Sequence, residues 1–170
     1  LLIAKDPKAF LFLQKQFEQR SVKKVYLALV AGIPSPPAAV IDAPIGRHPV
    51  ERTKMAVLGA GGIREARTTY RTRGTAGQVA LLECELHTGR THQIRVHLTT
   101  MGHPLLGDST YVSSLSERLS EEYGIDSLCL HAWKLTFRSP ADQKEHFVKV
   151  SLPQPFLRAL EKIGISFNAD

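Results

Sequence analysis

The sequence predicts an α+β domain whose mixed, mostly antiparallel central sheet is flanked by helices. Several short runs rich in β-branched and aromatic residues follow one another with only turn residues between them, and such consecutive strands favour antiparallel pairing. Stretches with helical periodicity stand near both ends and in the middle of the chain. The 170 residues are 43% hydrophobic and 22% charged and contain no internal repeat, which is typical of one globular domain with one core.

The first predicted elements are a short strand and an amphipathic helix. The strand is expected at Leu1–Lys5, where most residues are apolar. Asp6 followed by Pro7 predicts the helix start, because aspartate is a favoured N-cap and proline suits the first helical position. The apolar stripe of this helix consists of Phe10, Leu13 and Phe17.

A central strand is predicted at Lys23–Ala31, where apolar residues occupy both faces. The rigid, proline-rich loop Gly32–Pro37 ends this strand. A basic loop at Gly46–Lys54 interrupts the strands that follow. These strands are expected at Val40–Ile45, Met55–Leu58, Arg64–Arg73 and Gln78–His87, with turns at Gly59–Gly62 and Arg73-Gly74.

The second half of the chain is predicted to contain the remaining helices of the fold and its last strands. Thr91 is expected to cap a helix that ends at Gly102 and whose core-facing residues are Ile94, Leu98 and Met101. A surface helix or ordered loop is expected at Ser113–Tyr123. The last elements are strands at Leu128–Phe137 and His146–Leu152 and a closing helix at Pro155–Ile163, with Phe156, Leu157 and Leu160 facing inward.

Charge and composition limit the possible functions. Lysine and arginine outnumber aspartate and glutamate by 22 to 16, and this excess favours an anionic partner such as nucleic acid. Cys84 and Cys129 lie in apolar runs and are too few for a disulfide framework or a four-cysteine zinc site. No apolar stretch approaches the roughly 20 residues of a membrane span, and no signal peptide is recognisable. We therefore expect a cytoplasmic protein without membrane contact, and we interpret the apolar start at Leu1 as a truncation.

The segment with the most candidate functional side chains is residues 87–98, whose sequence is HTGRTHQIRVHL. Arg90 directly precedes the predicted helix, whose N-terminus favours anions. Helical spacing puts Arg95 on one face with His92 and Thr99, next to the apolar face. A guanidinium beside a core needs a carboxylate or phosphate partner. The alternative is a solvated polar helix face with one surface ion pair.

A metal site built from the histidines of this segment is disfavoured. Successive members of His87, His92 and His97 are five residues apart, which places them about 140° apart around a helix. No carboxylate lies between them. We therefore expect no metal.

The sequence resembles a known enzyme family. GRTHQIRVHL at 89–98, followed by GHPLLGD at 102–108 and Tyr111, is similar to the signature of the RluA/RluC/RluD-type pseudouridine synthases. KVYLALV at 24–30 with Gly32 resembles the tyrosine motif of this family, and LLIAK at 1–5 resembles the end of its catalytic motif. GRHP at 46–49, RTKM at 52–55 and LHA at 130–132, with Leu135 and Phe137 after it, are similar to further family motifs in the same order.

The resemblance implies an isomerase that acts on RNA. The family breaks the N-glycosidic bond of a uridine, turns the base and rejoins it through carbon 5, without a metal or organic cofactor. Its nucleophile is an aspartate in a His-Arg-Leu-Asp motif, which would precede Leu1. Asp6 is better explained as a helix cap, and Asp108 belongs to a separate turn. Residues 1–170 are therefore expected to be most of one catalytic domain, without the nucleophile and inactive alone.

The resemblance also implies roles for individual residues. Tyr26 matches the tyrosine that stacks on the target base and assists proton transfer at carbon 5. Arg95 matches the arginine that pairs with the catalytic carboxylate, and Leu130 matches the aliphatic residue that packs against the base. Without the family match, Tyr26 and Leu130 are equally compatible with ordinary core positions.

Six basic or imidazole side chains are candidate RNA contacts. Arg90 is expected to hold a substrate phosphate, although its role and that of Arg95 could be exchanged. A solvated basic loop is the alternative for the residues between 46 and 54. The complete set of candidates is Arg47, His48, Arg52, Lys54, Arg90 and His92.

Other functions remain open from the sequence. A non-catalytic RNA-binding or ribosome-assembly factor would keep the cleft and lack the nucleophile. A hydrolase using His87 or His97 with Asp108 has no serine or cysteine in a recognisable nucleophile context. The expected substrate is large-subunit ribosomal RNA, with transfer RNA as the alternative, and the expected state is a monomer.

Overall fold

The computed structural model describes residues 2–168 and shows an α+β fold, as predicted. In chain order the elements are α1 (Pro7–Glu18), β1 (Lys23–Ala31), β2 (Ala38–Asp42), β3 (Ile45–Arg47), β4 (Met55–Val57), β5 (Gly61–Arg64), β6 (Arg67–Ala76), β7 (Val79–Leu86), α2 (Gln93–Thr100), α3 (Ser114–Glu122), β8 (Leu130–Arg138), β9 (Glu145–Lys149) and α4 (Gln154–Ile163). A six-stranded sheet has the order β2-β6-β7-β1-β8-β9, and all of its strand pairs are antiparallel. A three-stranded sheet has the order β4-β3-β5.

Strand β1 lies near the middle of the large sheet, as its two-sided apolar pattern predicts. Leu27 and Leu29 pack with α3 and α4 on one face of the sheet, whereas Ala28 and Val30 pack with α2 on the other. Tyr26 lies opposite Cys84 of β7 and Ala132 of β8. Because side chains alternate along a strand, Tyr26 belongs to the α2 side of the sheet, which we call the α2 face.

Two predicted strands near the start of the chain differ from the structure. Residues 2–5 of the strand expected at Leu1–Lys5 form no strand, because no described strand runs beside them, and Leu1 lies outside the described residues. The strand expected at Val40–Ile45 is interrupted by Pro44, which has no backbone N–H for a ladder. The chain there leaves the large sheet after β2 and enters the small sheet at β3.

The bounds of the next turn and strand also differ from those predicted. The turn expected at Gly59–Gly62 ends earlier, since β5 begins at Gly61. The strand expected at Arg64–Arg73 lies instead at Arg67–Ala76, where β6 pairs with both β2 and β7.

Several apolar residues expected in the core are exposed. Phe10 and Phe17 of α1 are 57% and 45% exposed, because α1 contacts the sheet mainly at β8. The helix docks there through the buried Gln16, whose side chain bonds both the N–H and the carbonyl of Arg138. Leu157, 40% exposed, also lies outside the buried face of α4, which is formed by Phe156, Ala159, Leu160 and Ile163.

At position 107, in the loop after α2, the backbone conformation and its neighbours allow only glycine without strain. Its φ is +68°, and a Cβ atom there would overlap the Ser127 carbonyl. Gly102 has φ +83° but open space around an added Cβ. We expect Gly107→Ala to lower the free energy of unfolding by more than about 2 kcal/mol, and Gly102→Ala by only about 1 kcal/mol. Urea unfolding of both variants measures this difference, and equal losses would show that the overlap is relieved without cost.

No helix within residues 2–168 has the length and apolar character that a membrane span requires.

Candidate active site

The α2 face carries the residues predicted to contact the base. Tyr26 and Leu130 are partly buried and pack against the same apolar cluster, to which α2 contributes Ile94 and Leu98. Burial raises the pKa of the Tyr26 phenol, so it keeps its proton at neutral pH. Its hydroxyl has no hydrogen-bond partner within residues 2–168 and is available to a ligand.

An apolar pocket of about 380 Å³ opens beside Tyr26. Lys24 and Tyr26 of β1 form one wall, and the other walls include Phe17, Leu135, Phe137 and Val148. The pocket lies toward the β9 edge of the sheet, where every residue of β9 is exposed. This combination of the Tyr26 hydroxyl, the amines of Lys24 and Lys134 and an apolar wall suits a planar ring with a negatively charged substituent.

The loop before α2 is held by the buried side chain of Gln93. Its Oε1 atom accepts hydrogen bonds from the Thr88 hydroxyl (2.7 Å) and the Arg90 N–H (3.0 Å). Its Nε2 atom donates to the Arg67 carbonyl (3.0 Å) and the Thr68 hydroxyl (2.9 Å). Because each amide atom is satisfied, Gln93 fixes the backbone of Arg90 to β6.

His97 extends this network into the core. Its Nε2 atom lies 2.9 Å from the Ala43 carbonyl, which can only accept, so this nitrogen carries the proton. Its Nδ1 atom lies 2.9 Å from the Thr68 hydroxyl and therefore accepts. Burial lowers the pKa of His97, against smaller raising effects of the Ala43 carbonyl and Asp42, so the ring is neutral. His97 thus positions α2.

Thr91 does not cap α2. His92 occupies the N-cap position with a left-handed φ of 56° and caps no backbone N–H through its side chain. The Gln93 side chain instead holds the loop before the helix, through its bonds with the Arg90 N–H and the Arg67 carbonyl. His92 therefore lies before the helix and does not share its face with Arg95 and Thr99 as expected.

Arg95 has a carboxylate partner within the chain, and it is Asp108. Arg95 Nε and Nη2 donate to the two Asp108 oxygens, both at 2.7 Å. The side chains are only 14% and 0% exposed, which excludes the solvated helix face considered above. Burial raises the Asp108 pKa, but the bonds from Arg95 and from the Thr110 and Tyr111 N–H groups outweigh it, and the pKa lies below its ordinary value.

Tyr111 joins this ion pair to the small sheet. Its ring lies under the Arg95 guanidinium, 4.9 Å from centroid to Cζ. Its hydroxyl accepts from the Met55 N–H of β4 (2.8 Å) and lies 3.0 Å from His92 Nδ1. Burial, followed by the nearby Arg95 charge, lowers the pKa of His92. The ring of His92 is therefore an uncharged candidate contact for RNA.

In the basic loop between β3 and β4, some basic side chains bond within the loop and others are free. His48 Nδ1 accepts from the Glu51 N–H (3.0 Å), and Lys54 pairs with the Glu51 carboxylate (2.7 Å), so both side chains order the loop. Arg47 and Arg52 are exposed, and neither side chain forms a hydrogen bond or ion pair within residues 2–168. These two arginines are therefore the candidate phosphate contacts of the loop whose side chains are free.

Two further cations, Arg90 before α2 and Lys24 at the start of β1, have partners other than carboxylates. Arg90 Nε donates to the Glu65 carbonyl (2.9 Å), and the Lys24 ammonium lies 5.8 Å from the Phe17 ring centroid. Burial, and then the charge of Arg90, lower the pKa of Lys24. Neither cation has a carboxylate within ion-pair distance in the part of the chain that the structure describes.

The hydrolase hypothesis is wrong for this geometry. His97 uses both ring nitrogens within the core, and His87 Nε2 bonds the Thr69 hydroxyl (2.8 Å). Asp108 is engaged by Arg95. Within residues 2–168, no three His, Cys, Asp or Glu side chains converge to hold a metal ion.

The site is built by Gln93 and Tyr111, which had no expected role, and by His97 and Asp108, which the sequence suggested only for other functions. Gln93, His97, Asp108 and Tyr111 all lie in motif segments, but their bonds join residues far apart in the chain. The cue that could have indicated them is the presence of polar residues at core-facing helical positions. Tyr26 and Leu130 are brought together, while Arg95 is directed to Asp108 and Tyr111.

Comparison with known proteins identifies relatives. The family described as RNA pseudouridylate synthase matches residues 1–100. The Ribosomal large subunit pseudouridine synthase D of Nitrosomonas europaea is 41% identical over 165 residues, covering 96% of this chain and 47% of the relative. RNA pseudouridine synthase 2, chloroplastic, of Arabidopsis thaliana is 39% identical and covers 91% of this chain and 41% of its own length. The chain thus spans about half the length of these relatives.

Solved structures share the fold. Human RNA Pseudouridylate Synthase Domain Containing 4 superposes with a TM-score of 0.77 at 27% identity, covering 95% of this chain and 70% of that one. Human RNA Pseudouridylate Synthase Domain Containing 1 gives 0.73 at 30% identity, with 92% and 64% coverage. Since the family match spans more than half of the 170 residues and the structural match nearly all of them, the chain belongs to the RNA pseudouridylate synthase family.

Proposed function

We propose that the complete protein is an RNA pseudouridine synthase, which isomerises specific uridines of an RNA to pseudouridine. The observation that carries this proposal is the placement of Tyr26 and Lys24 side by side in the wall of one apolar pocket. A flipped-out base needs an apolar or aromatic platform, and its backbone needs positive charge. Membership of the family supports the reaction type.

Each predicted site residue has a place in this proposal. Tyr26 stacks on the target base, and its phenol relays the proton that carbon 5 loses, because its oxygen accepts this proton while its own proton passes to water. Leu130 packs against the same base from β8. Asp108 holds Arg95 by Nε and Nη2, which leaves Nη1 for a second carboxylate.

That second carboxylate is the proposed nucleophile, an aspartate supplied before Leu1. We propose that residues 1–170 are most of one catalytic domain and that this chain alone is inactive. An arginine beside the nucleophile lowers its pKa and orients it.

The proposed substrate is large-subunit ribosomal RNA, because relatives from Nitrosomonas europaea and Zymomonas mobilis carry that activity in their names. Transfer RNA is the alternative substrate. We propose action in the cytoplasm as a monomer. Relatives named as chloroplastic show that the same family also serves other compartments.

The test uses the purified complete protein and ribosomal RNA transcripts labelled with tritium at carbon 5 of uridine. Isomerisation releases this tritium to water, and the proposal predicts release from large-subunit transcripts. Binding without release from ribosomal and transfer RNA would favour the second candidate, a non-catalytic RNA-binding or assembly factor.

The free arginines of the basic loop give a separate prediction. Removing both charges in Arg47→Gln/Arg52→Gln should weaken RNA binding and make it less salt-dependent, because each lost contact with a single-stranded phosphate reduces the slope of log K against log salt by about 0.7. Fluorescence anisotropy with labelled RNA between low and moderate salt measures the slope. Arg158→Gln is the matched control, since Arg158 is exposed on α4 on the opposite face of the sheet. An unchanged slope would make the loop a solvated basic surface.

A further inference from the structure

A second pocket lies on the other side of the large sheet, between α4 and the loop that joins α3 to β8. Its volume is about 310 Å³, which lies at the lower end of the range of about 300–1,000 Å³ for small-molecule sites. One wall contains His131, whose ring centroid lies 6.3 Å from that of Phe156 in α4. Because neighbouring side chains of a strand point to opposite faces, His131 faces away from the side of Leu130 and Tyr26. The pocket is therefore separate from the proposed base site.

Two cations of α4 border this pocket. Arg158 and Lys162 are four residues apart and so lie on one side of the helix. The Arg158 side chain forms no hydrogen bond or ion pair within residues 2–168. The Lys162 ammonium is held at the pocket by one bond, which it donates to the Tyr123 carbonyl (3.0 Å). An ammonium has three N–H donors, so two remain for a ligand.

The opposite wall offers further polar groups without partners. The backbone N–H groups of residues 126–128, which line the pocket, form no hydrogen bond within residues 2–168. His131 Nε2 is buried without a hydrogen-bond partner, and its Nδ1 is also unbonded within the described residues but is accessible. Cations and unpaired backbone N–H groups that border one pocket favour an anion as its ligand.

We propose that this pocket binds a small organic phosphate, a nucleoside or sugar monophosphate, whose phosphate lies between Arg158 and Lys162. The planar guanidinium suits two phosphate oxygens, and the ammonium adds a point charge. An inorganic anion would leave most of the 310 Å³ and the apolar surface of Tyr123 and Ile125 unoccupied, so the ligand needs an organic part. Asp126 also lines the pocket, forms no ion pair within residues 2–168 and accepts a hydrogen bond from a sugar hydroxyl.

The experiment is a calorimetric titration of the complete protein, at low salt, with uridine 5′-monophosphate and with ribose 5-phosphate. Uridine and ribose, which lack the phosphate, should bind at least about tenfold more weakly than their phosphates. Binding of both phosphates would show that a sugar phosphate suffices, and binding of the nucleotide alone would show that the base contributes.

The variants Arg158→Gln and Lys162→Met should each weaken binding of the phosphate compounds by about tenfold. Arg158 is exposed and unbonded, so its replacement is expected to leave folding intact, and circular dichroism checks this for both variants. The control is Arg118→Gln, which removes the same charge from an exposed arginine that is paired with Glu122 in α3, outside the pocket, and should leave binding unchanged.

Three results would overturn the phosphate site. The first is that neither phosphate compound binds to the wild-type protein. The second is equal binding of each compound with and without its phosphate. The third is binding that is lost in Tyr26→Leu and unchanged in Arg158→Gln, which would place the ligand in the pocket beside Tyr26. Because no turnover is measured, these results do not depend on whether the protein is a synthase.

Discussion

Asp108→Asn will lower the free energy of unfolding by about 3–5 kcal/mol, because it leaves the Arg95 guanidinium buried without a carboxylate. The pair is bidentate at 2.7 Å, and the Asp108 side chain is fully buried. Tyr111 also loses a charged acceptor for its N–H. Urea unfolding followed by circular dichroism measures the loss.

The control for this variant is Asp142→Asn, which removes a carboxylate from an exposed pair with His146 and should leave stability unchanged. The double variant Arg95→Met/Asp108→Asn leaves no buried charge and should be more stable than Asp108→Asn alone. If the stability loss of the double variant equalled the sum of the losses of the two single variants, the unpaired buried charge would not be the cause of the destabilisation.

The same pair predicts how stability changes with pH. The pKa of Asp108 in the folded protein lies below its unfolded value of about 3.9. Its contribution is therefore fully present above about pH 4 and is lost as the pH falls through the folded pKa. The stability difference between wild type and Asp108→Asn should be constant from neutral pH down to about pH 5 and then narrow. A stability difference that widens at acidic pH would contradict a lowered pKa of Asp108 in the folded protein.

Tyr26→Phe should lower kcat of the complete protein by about 10²–10⁴-fold and leave its affinity for RNA nearly unchanged, because it removes the hydroxyl and keeps the ring. Tyr26→Leu should also weaken binding, since stacking on an aromatic ring contributes about 1–3 kcal/mol per base. Single-turnover tritium release and anisotropy separate the two effects.

The control for the tyrosine variants is Tyr123→Phe, which makes the same chemical change near α3, where Tyr123 packs on the opposite side of the sheet from Tyr26. It should leave both measurements unchanged. A Tyr26→Phe variant with full kcat would limit Tyr26 to a stacking role.

The elements that could be predicted are those whose sequence pattern reflects their own burial. Strand β1 is apolar on both faces because α2 covers one face and α3 with α4 cover the other. The sequence pattern predicts burial wrongly where the burial of a residue depends on partners that are distant in the chain. Phe17 has the spacing of a core residue, yet it is 45% exposed at the mouth of the pocket beside Tyr26.

Polar residues of the site are buried, although their residue type alone predicts exposure. Gln93 is polar but 2% exposed, because β6 and the loop before α2 supply partners for its whole amide. Asp108 meets Arg95 only because the chain after α2 turns at Gly107. Spacing along the sequence predicts that Arg95 needs an anion, whereas only the folded chain shows which anion it has.

Mapping pseudouridines in ribosomal and transfer RNA from a deletion strain is the most direct test of the proposed function. The proposal predicts that one or more uridines of large-subunit ribosomal RNA lose the modification and regain it with the complete wild-type protein, but not with Tyr26→Phe. Loss confined to transfer RNA would keep the reaction and change the substrate. An unchanged map in both RNAs would contradict the synthase function.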